Sequence, residues 1–370
     1  MLTWVEIKAK AIQHNILQFR RLVGTEVKIM PVIKSNAYGH GFLIVAKLCE
    51  TNNKIDRICV VSGEEAGELI KHGIKKPIQI LSFYELNRAS LLPLIKHKII
   101  FPVYTSAQAI KLNQLSKFLN IKTKIHIKVD TGTTRVGILS DQAKAFAKII
   151  KSLKFLEVEG IWSHFAASES DFKYTNFQRK NFEQACQSLK ATGIAPKFTH
   201  MSCSSASALF SLDGLNAIRL GLSLYGLYPA DQMKPKIKLK PALSWFTTVI
   251  QVKTVPAGTK VGYGCTYTTK KPCQIIVLPI GYWDGYDRKL SNLGQVIING
   301  IKYPIRGRIC MNLTMVEAPL QAKIRVGDKV TIIGKNGQSE VRVDDLARQI
   351  GTINYEVVTR INPLIPRLVR

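Results

Sequence analysis

Acidic side chains are scarce: 25 Asp and Glu stand against 53 Lys and Arg, a formal charge of +28 over 370 residues. Such an excess can serve a nucleic acid, but the lysines at 111, 117, 144, 148, 151 and 154 are spread singly, without a basic block interleaved with aromatics. The expectation is a solvated surface and no nucleic-acid partner. Cysteines are few, and the seven present, Cys49, Cys59, Cys186, Cys203, Cys265, Cys273 and Cys310, lack paired short spacings. That argues against a disulfide framework and against a zinc site, so no metal is expected. No stretch approaches the ~20 apolar residues that cross a bilayer, and MLTWVEIKAKAIQHN has no basic segment leading into an apolar run. A cytoplasmic protein without membrane contact is expected.

What the chain does have is enough apolar content, 46 %, for two well-buried domains. Short β-branched runs alternate with amphipathic stretches through the first two thirds, which predicts parallel strands joined by right-handed crossovers. Eight strands are expected at 27–33, 57–61, 77–81, 99–103, 124–129, 156–162, 197–201 and 216–220, with helices over 106–120, 141–153 and 177–191. Eight such units in this length suit a closed (β/α)8 TIM barrel within an α/β chain. From about Trp245 closely spaced strands with Gly and Pro turns take over, as in CQIIVLPIGY and GQVIINGIKYPIRGRICM. The expected division is a barrel over 1–235 and a mostly β domain over 236–370, joined by the proline- and lysine-rich stretch near 229–241.

In a barrel the reactive groups gather where strands end. The first run ends in PVIKSNAYGHG, placing Lys34 among small residues; burial lowers a lysine's pKa and frees its amine as a nucleophile or base. Tyr38 lies one turn further on if the segment is helical. The fifth run ends in HIKVDTGTTRVG with Lys128 and Arg135, the sixth in GIWSHFAAS with His164, the seventh in THMSCSSAS with Ser204, and the eighth in IRLGLSLYG with Arg219, Gly221 and Leu222. A single histidine or arginine here would read as a satisfied core group. Five polar strand ends at one mouth are hard to attribute to chance.

Taken in order, these segments resemble the signatures of bacterial alanine racemases, fold-type III pyridoxal-phosphate enzymes. The resemblance implies pyridoxal 5′-phosphate as cofactor, alanine as substrate and a head-to-tail homodimer with shared sites. It implies that Lys34 binds the cofactor and acts as one base, and that Tyr263 of KVGYGCTY is the other, reaching in from the second subunit. Removing a proton from one face of a planar intermediate and returning it to the other needs two flanking groups. Tyr38, Ser204, Gly221, Leu222 and Tyr355 would cradle the phosphate; His164 and Arg219 would support the tyrosine, with Arg219 also beside the pyridine nitrogen. Arg135 and Met311 would meet the substrate carboxylate. Lys128 would either be carbamylated to hold Arg135 or pair with Asp130. Glu169, Tyr282, Arg288, Arg308 and Ile353 would line the entrance. Cys203, Asn312 and Glu169 depart from the family's usual Asn, Asp and Asp, and TGTTR departs from a smaller loop. The implied reaction interconverts L- and D-alanine and supplies D-alanine for peptidoglycan. A broad-specificity racemase and a fold-type III decarboxylase are the alternatives, and KVGYG sets a tyrosine where the decarboxylase usually needs cysteine.

Overall fold

The computed structural model describes residues 1–370 and divides into two compact units, one of 13–35 and 42–240, the other of 1–12, 36–41 and 241–370. The first holds eight barrel strands, β1 (Lys28–Pro31), β2 (Ile58–Ser62), β3 (Ile78–Phe83), β4 (Phe101–Val103), β5 (Thr123–Asp130), β6 (Leu156–Trp162), β7 (Phe198–His200) and β8 (Ala217–Leu220), and a two-residue strand, Ile138–Leu139, that pairs with the end of β5. Each barrel strand falls within two residues of its expected span. Their runs of Ile, Val and Leu are buried on both faces, as a parallel sheet under helices requires.

The barrel strands form one ring. β8 pairs in parallel with β1, β2 with β3, β4 with β5, β5 with β6 and β6 with β7. Bridges between Val32 and Cys59 and between Gln79 and Ile100 carry the sequence of pairs across β1, β2, β3 and β4. The last gap closes where the amides of Asn216 and Arg219 donate to the carbonyls of Thr199 and Ser202, each at 3.0 Å. This is the closed barrel the strand count predicts.

Helices follow their local signals. Ser106–Leu119 begins with a capping box of Thr105 and Gln108 and ends at Asn120 in the left-handed region. Phe172–Ala191 starts five residues earlier than its periodicity suggests, because Asp171 caps the Tyr174 amide.

The second unit is mostly β. Leu243–Thr248 lies in a seven-stranded sheet beside Lys329–Asn336 and the N-terminal strand Trp4–Ile7, which itself runs parallel to Arg367–Val369. Gln251–Val255, Cys273–Leu278 and Thr314–Pro319 form a second, antiparallel sheet. The N-terminal strand thus joins the C-terminal β unit, where a contiguous 1–235 division puts it with the barrel. So does the stretch Asn36–Gly41.

Candidate active site

Lys34 opens a single helical turn, Lys34–Tyr38, in which Ser35, Asn36, Ala37 and Tyr38 have φ of 55, 54, 51 and 54°. The turn is helical as expected and left-handed, which sequence periodicity cannot show. For L-residues this hand costs roughly 1–2 kcal/mol per residue, so neighbours must hold it. Glu65 does so at its start: its carboxylate accepts from the Ser35 amide at 2.7 Å and from the Val61 amide at 2.8 Å. Within the β unit, Arg367 donates to the Gly39 carbonyl at 3.2 Å and the His40 ring lies 2.9 Å from the Tyr38 carbonyl. Gly39 has φ of 82°, and a Cβ there would stand 1.9 Å from the Val358 carbonyl oxygen. Only glycine fits.

Around Lys34 in the barrel unit the charges are mostly positive. Desolvation lowers the Lys34 pKa and the Arg135 charge adds to this, while Glu65 opposes it. Lys128, 4 % exposed, is brought down to about 7 by desolvation, then by Arg135 and Arg219, with Asp130 opposing and Lys34 adding. His164 is held well below its usual value by desolvation and by Arg219, Arg135, Lys128 and Lys34. These five groups therefore feel one another at one mouth of the barrel.

Lys128 has no ion pair with Asp130. Its ammonium sits 4.2 Å from the Trp162 ring centroid, and Arg219 lies against the same ring at 4.6 Å. Asp130 serves the loop instead: its carboxylate accepts from the amides of Gly132, Thr133, Thr134 and Arg135 at 2.7–3.1 Å, folding TGTTR so that Arg135 stands exposed at its end.

Arg219 is 3 % exposed and donates to the Ser163 and Met201 carbonyls at 2.7 and 3.1 Å, to His200 Nδ1 at 2.6 Å and to His164 Nδ1 at 3.0 Å. Since a guanidinium only donates, His164 Nδ1 must be the unprotonated nitrogen, and its proton sits on Nε2. Ser204 is buried and accepts from the Gly221 amide at 3.1 Å, bringing the turns after β7 and β8 together, with Leu222 beside them. Glu169 is half-buried and accepts from Ser205, which also bonds Ser168 at 2.8 Å.

In the β unit the remaining expected residues are mostly on the surface. Tyr263 is 73 % exposed and Met311 55 %; Tyr282, Arg288, Arg308 and Ile353 are also exposed. The Trp283 amide bonds the Met311 carbonyl at 3.0 Å, tying IGYWDG to GRICMN. The Arg308 guanidinium lies against Gly264, one residue from Tyr263. The rings of Tyr38 and Tyr355 are 6.1 Å apart.

The sequence profile of "Alanine racemase, N-terminal domain" matches residues 7–229 and that of "Alanine racemase, C-terminal domain" matches residues 242–369. The chain belongs to the alanine racemase family. Among curated relatives, alanine racemase of Halothermothrix orenii is 41 % identical over 99 % of this chain and 96 % of its own. That of Methanococcus maripaludis is 39 % identical over 99 % and 98 %. Among solved structures, alanine racemase of Clostridium difficile 630 superposes with a TM-score of 0.93 at 33 % identity, covering 100 % of this chain and 96 % of that one. The Bacillus anthracis enzyme, solved with bound L-Ala-P, gives 0.91 at 33 % identity with 100 % and 95 % covered.

Glu65, Trp162 and His200 go unnoticed in the sequence reading, although all touch or flank the residues it named, and Asp130 appears there only as a partner for Lys128. A glutamate in the first turn after β2 looks like a helix-end charge. Glu65 acts on a backbone amide 30 positions away, and Trp162 and His200 meet across strands.

Proposed function

We infer that this chain racemises alanine, interconverting the L and D forms with pyridoxal 5′-phosphate as cofactor, and so supplies D-alanine for peptidoglycan. The observation that carries this is the cluster at the barrel mouth, a lysine of lowered pKa among further cations, in a chain that alanine racemases match over almost its full length. Lys34, Lys128, Arg135 and Arg219 together leave positive charge that an anionic cofactor and an amino-acid carboxylate would neutralise. The group therefore fits the residues present. When bound, it supplies the electron sink that acidifies the Cα–H bond.

The chain's own residues would divide the work as follows. Lys34, its pKa lowered by burial and by Arg135, would hold the cofactor and move a proton on one face of the substrate carbon. Tyr263 would move it on the other, supplied by the second subunit of a head-to-tail homodimer; its 73 % exposure suits a residue that works on a neighbour. A phenol is a weak base near neutral pH unless its anion is stabilised, and His164, with its proton on Nε2, offers a donor for that anion. Arg219 would sit by the pyridine nitrogen, where a guanidinium surrenders no proton and keeps the ring a modest electron sink, favouring racemisation over transamination. Ser204, Gly221, Leu222, Tyr38 and Tyr355 would take the phosphate, and Arg135 with Met311 the substrate carboxylate. Glu169, Tyr282, Arg288, Arg308 and Ile353 would narrow access to small substrates.

Lys128 would carry a carbamate. A pKa of about 7 leaves roughly half its amine neutral at neutral pH, the form that takes up carbon dioxide, and the product is an anion that would attract Arg135. A cytoplasmic location fits this role.

The test is racemisation of L- and of D-alanine by the purified protein supplied with cofactor, across a panel of other amino acids. Alanine should turn over in both directions and fastest of the panel, borohydride should fix the cofactor to Lys34, and Lys34→Ala should abolish both directions. Failure to turn over alanine despite a trapped cofactor would refute the assignment.

A further inference from the structure

Beneath the barrel mouth, a buried row of polar side chains runs from Arg219 into the barrel: His200, His126, Glu159 and Arg57, all 5 % exposed or less. Each link is a hydrogen bond: Arg219 Nη1 to His200 Nδ1 at 2.6 Å, His200 Nε2 to His126 Nδ1 at 2.9 Å, and His126 Nε2 to Glu159 Oε2 at 3.1 Å. Glu159 is held in turn by Arg57 at 3.0 Å and Lys124 at 2.7 Å.

The fold builds this row deliberately. Along β5 and β6, Ile125 pairs with Val158 and His126 with Gly160, so Glu159 is the extra residue of a β-bulge. A bulge re-aims the side chain it carries, here to the His126 ring. Gly160 makes room for that ring, since a Cβ at 160 would lie 2.4 Å from His126 Nδ1 and Cε1. One strand pair further, Trp162 stacks on His200 with centroids 5.6 Å apart and planes 7° from parallel.

The proton positions follow from the two ends. Arg219 can only donate, so His200 Nδ1 must accept and its proton must sit on Nε2. That proton needs an acceptor, so His126 Nδ1 is bare and His126 Nε2–H points at the Glu159 carboxylate. The reverse order would set a His200 Nδ1–H against an Arg219 N–H at 2.6 Å, expelling the guanidinium from the place where it also holds His164. Arg57 Nη1 also lies 3.2 Å from His126 Nε2, but its two protons go to Glu159 Oε2 at 3.0 Å and Gln79 Oε1 at 3.1 Å, which leaves His126 Nε2–H free to face the carboxylate and turns the Gln79 NH2 toward His126 Nδ1 at 3.2 Å.

We propose that Glu159 is a positioning residue for Arg219, fixing the Nε2–H tautomers of His126 and His200 so that the guanidinium always meets a bare nitrogen. Desolvation keeps both rings from charging, and burial of Glu159 is outweighed by the His126 bond and the Arg57 charge, which hold it ionised. The charged groups facing the row are Arg57, Lys124 and Arg219, so Glu159 is its only anion among the groups that shift its histidines. The effect on turnover rests on the racemase reading; the tautomers do not.

The experiment is nitrogen-15 NMR of histidine-labelled holoenzyme, with the seven histidines assigned by single substitution. Wild type should show His126 and His200 neutral with the proton on Nε2. Glu159→Gln should lose that pattern and lower kcat by on the order of ten-fold or more, as loss of a carboxylate behind a working imidazole commonly does, with KM for alanine little changed. Should that variant not fold, Gly160→Ala breaks the row at His126 without altering a charge and should do the same. A wild-type His200 protonated on Nδ1, or a folded variant of either kind with unchanged tautomers and kcat, would overturn the proposal. The tautomers are read without substrate, so failure here and failure of the racemase reading appear separately.

Discussion

At the scale of single residues, the surroundings of each ionisable group matter more than its identity. Lys34 and Lys128 are both lysines at strand ends, yet one feels the charge of the Glu65 carboxylate and the other lies over an indole ring. The two should therefore respond to different probes. With carbon-13 bicarbonate, a carbamate signal assigned to Lys128 should grow as pH rises through about 7, because only the neutral amine reacts, and Lys128→Met should erase it. No signal at pH 8.5 would leave Lys128 a plain amine. Tyr263→Phe should slow solvent-deuterium incorporation into one enantiomer, expected to be L-alanine, by ~10²–10⁴-fold, the usual worth of a general base, while sparing exchange of the other. Equal slowing of both would remove Tyr263 from its proposed face. The motif residues at 34, 135, 164, 204 and 219 were legible as polar groups at strand ends. Trp162 and His200 were not, since nothing in their neighbours' identities signals a stack between strands.

At the scale of elements, the left-handed turn at 35–38 decides the geometry of the lysine. Four non-glycine residues in this region would not persist alone, and the turn survives through Glu65 at one end and the tight seat of Gly39 at the other. Gly39→Ala should cost at least ~2 kcal/mol in urea unfolding, combining the left-handed penalty with a collision against Val358. Gly73→Ala is the control: φ is 73° there and a Cβ would meet nothing within 4 Å, so it should cost only ~1–2 kcal/mol. Equal losses at both would show that the close approach is unimportant. The sequence offered small residues and two glycines here and a helical reading of SNAY; handedness could not be read because it depends on partners 30 and 319 positions away, Glu65 from Ser35 and Val358 from Gly39. The bulge at Glu159 is invisible for the same reason, being a mismatch between two strands.

At the scale of the whole molecule, folding buries histidines in the neutral form. Desolvation holds His40 and His126 down to about 4, and His164 and His200 well below their usual range. Below pH ~6.5 the unfolded chain takes up protons that the native rings refuse, so each such histidine should remove up to ~1.4 kcal/mol of stability per pH unit, down to its native pKa. Urea unfolding should therefore show stability falling steadily from pH 7 to 5. A flat profile would contradict neutral burial. The sequence by itself determined the barrel, through eight β-branched runs spaced by amphipathic helices, and the kind of chemistry, through polar residues where those runs end. Hydrophobic periodicity and strand spacing are local properties, so they survive in one dimension. Only the tertiary structure decided that the N-terminal strand joins the C-terminal sheet, that Lys128 faces Trp162 and not Asp130, and that a glutamate in the barrel stands behind Arg219 through two imidazoles. Those are contacts between distant residues, fixed by register, bulges and burial, and they exist only once the ring has closed.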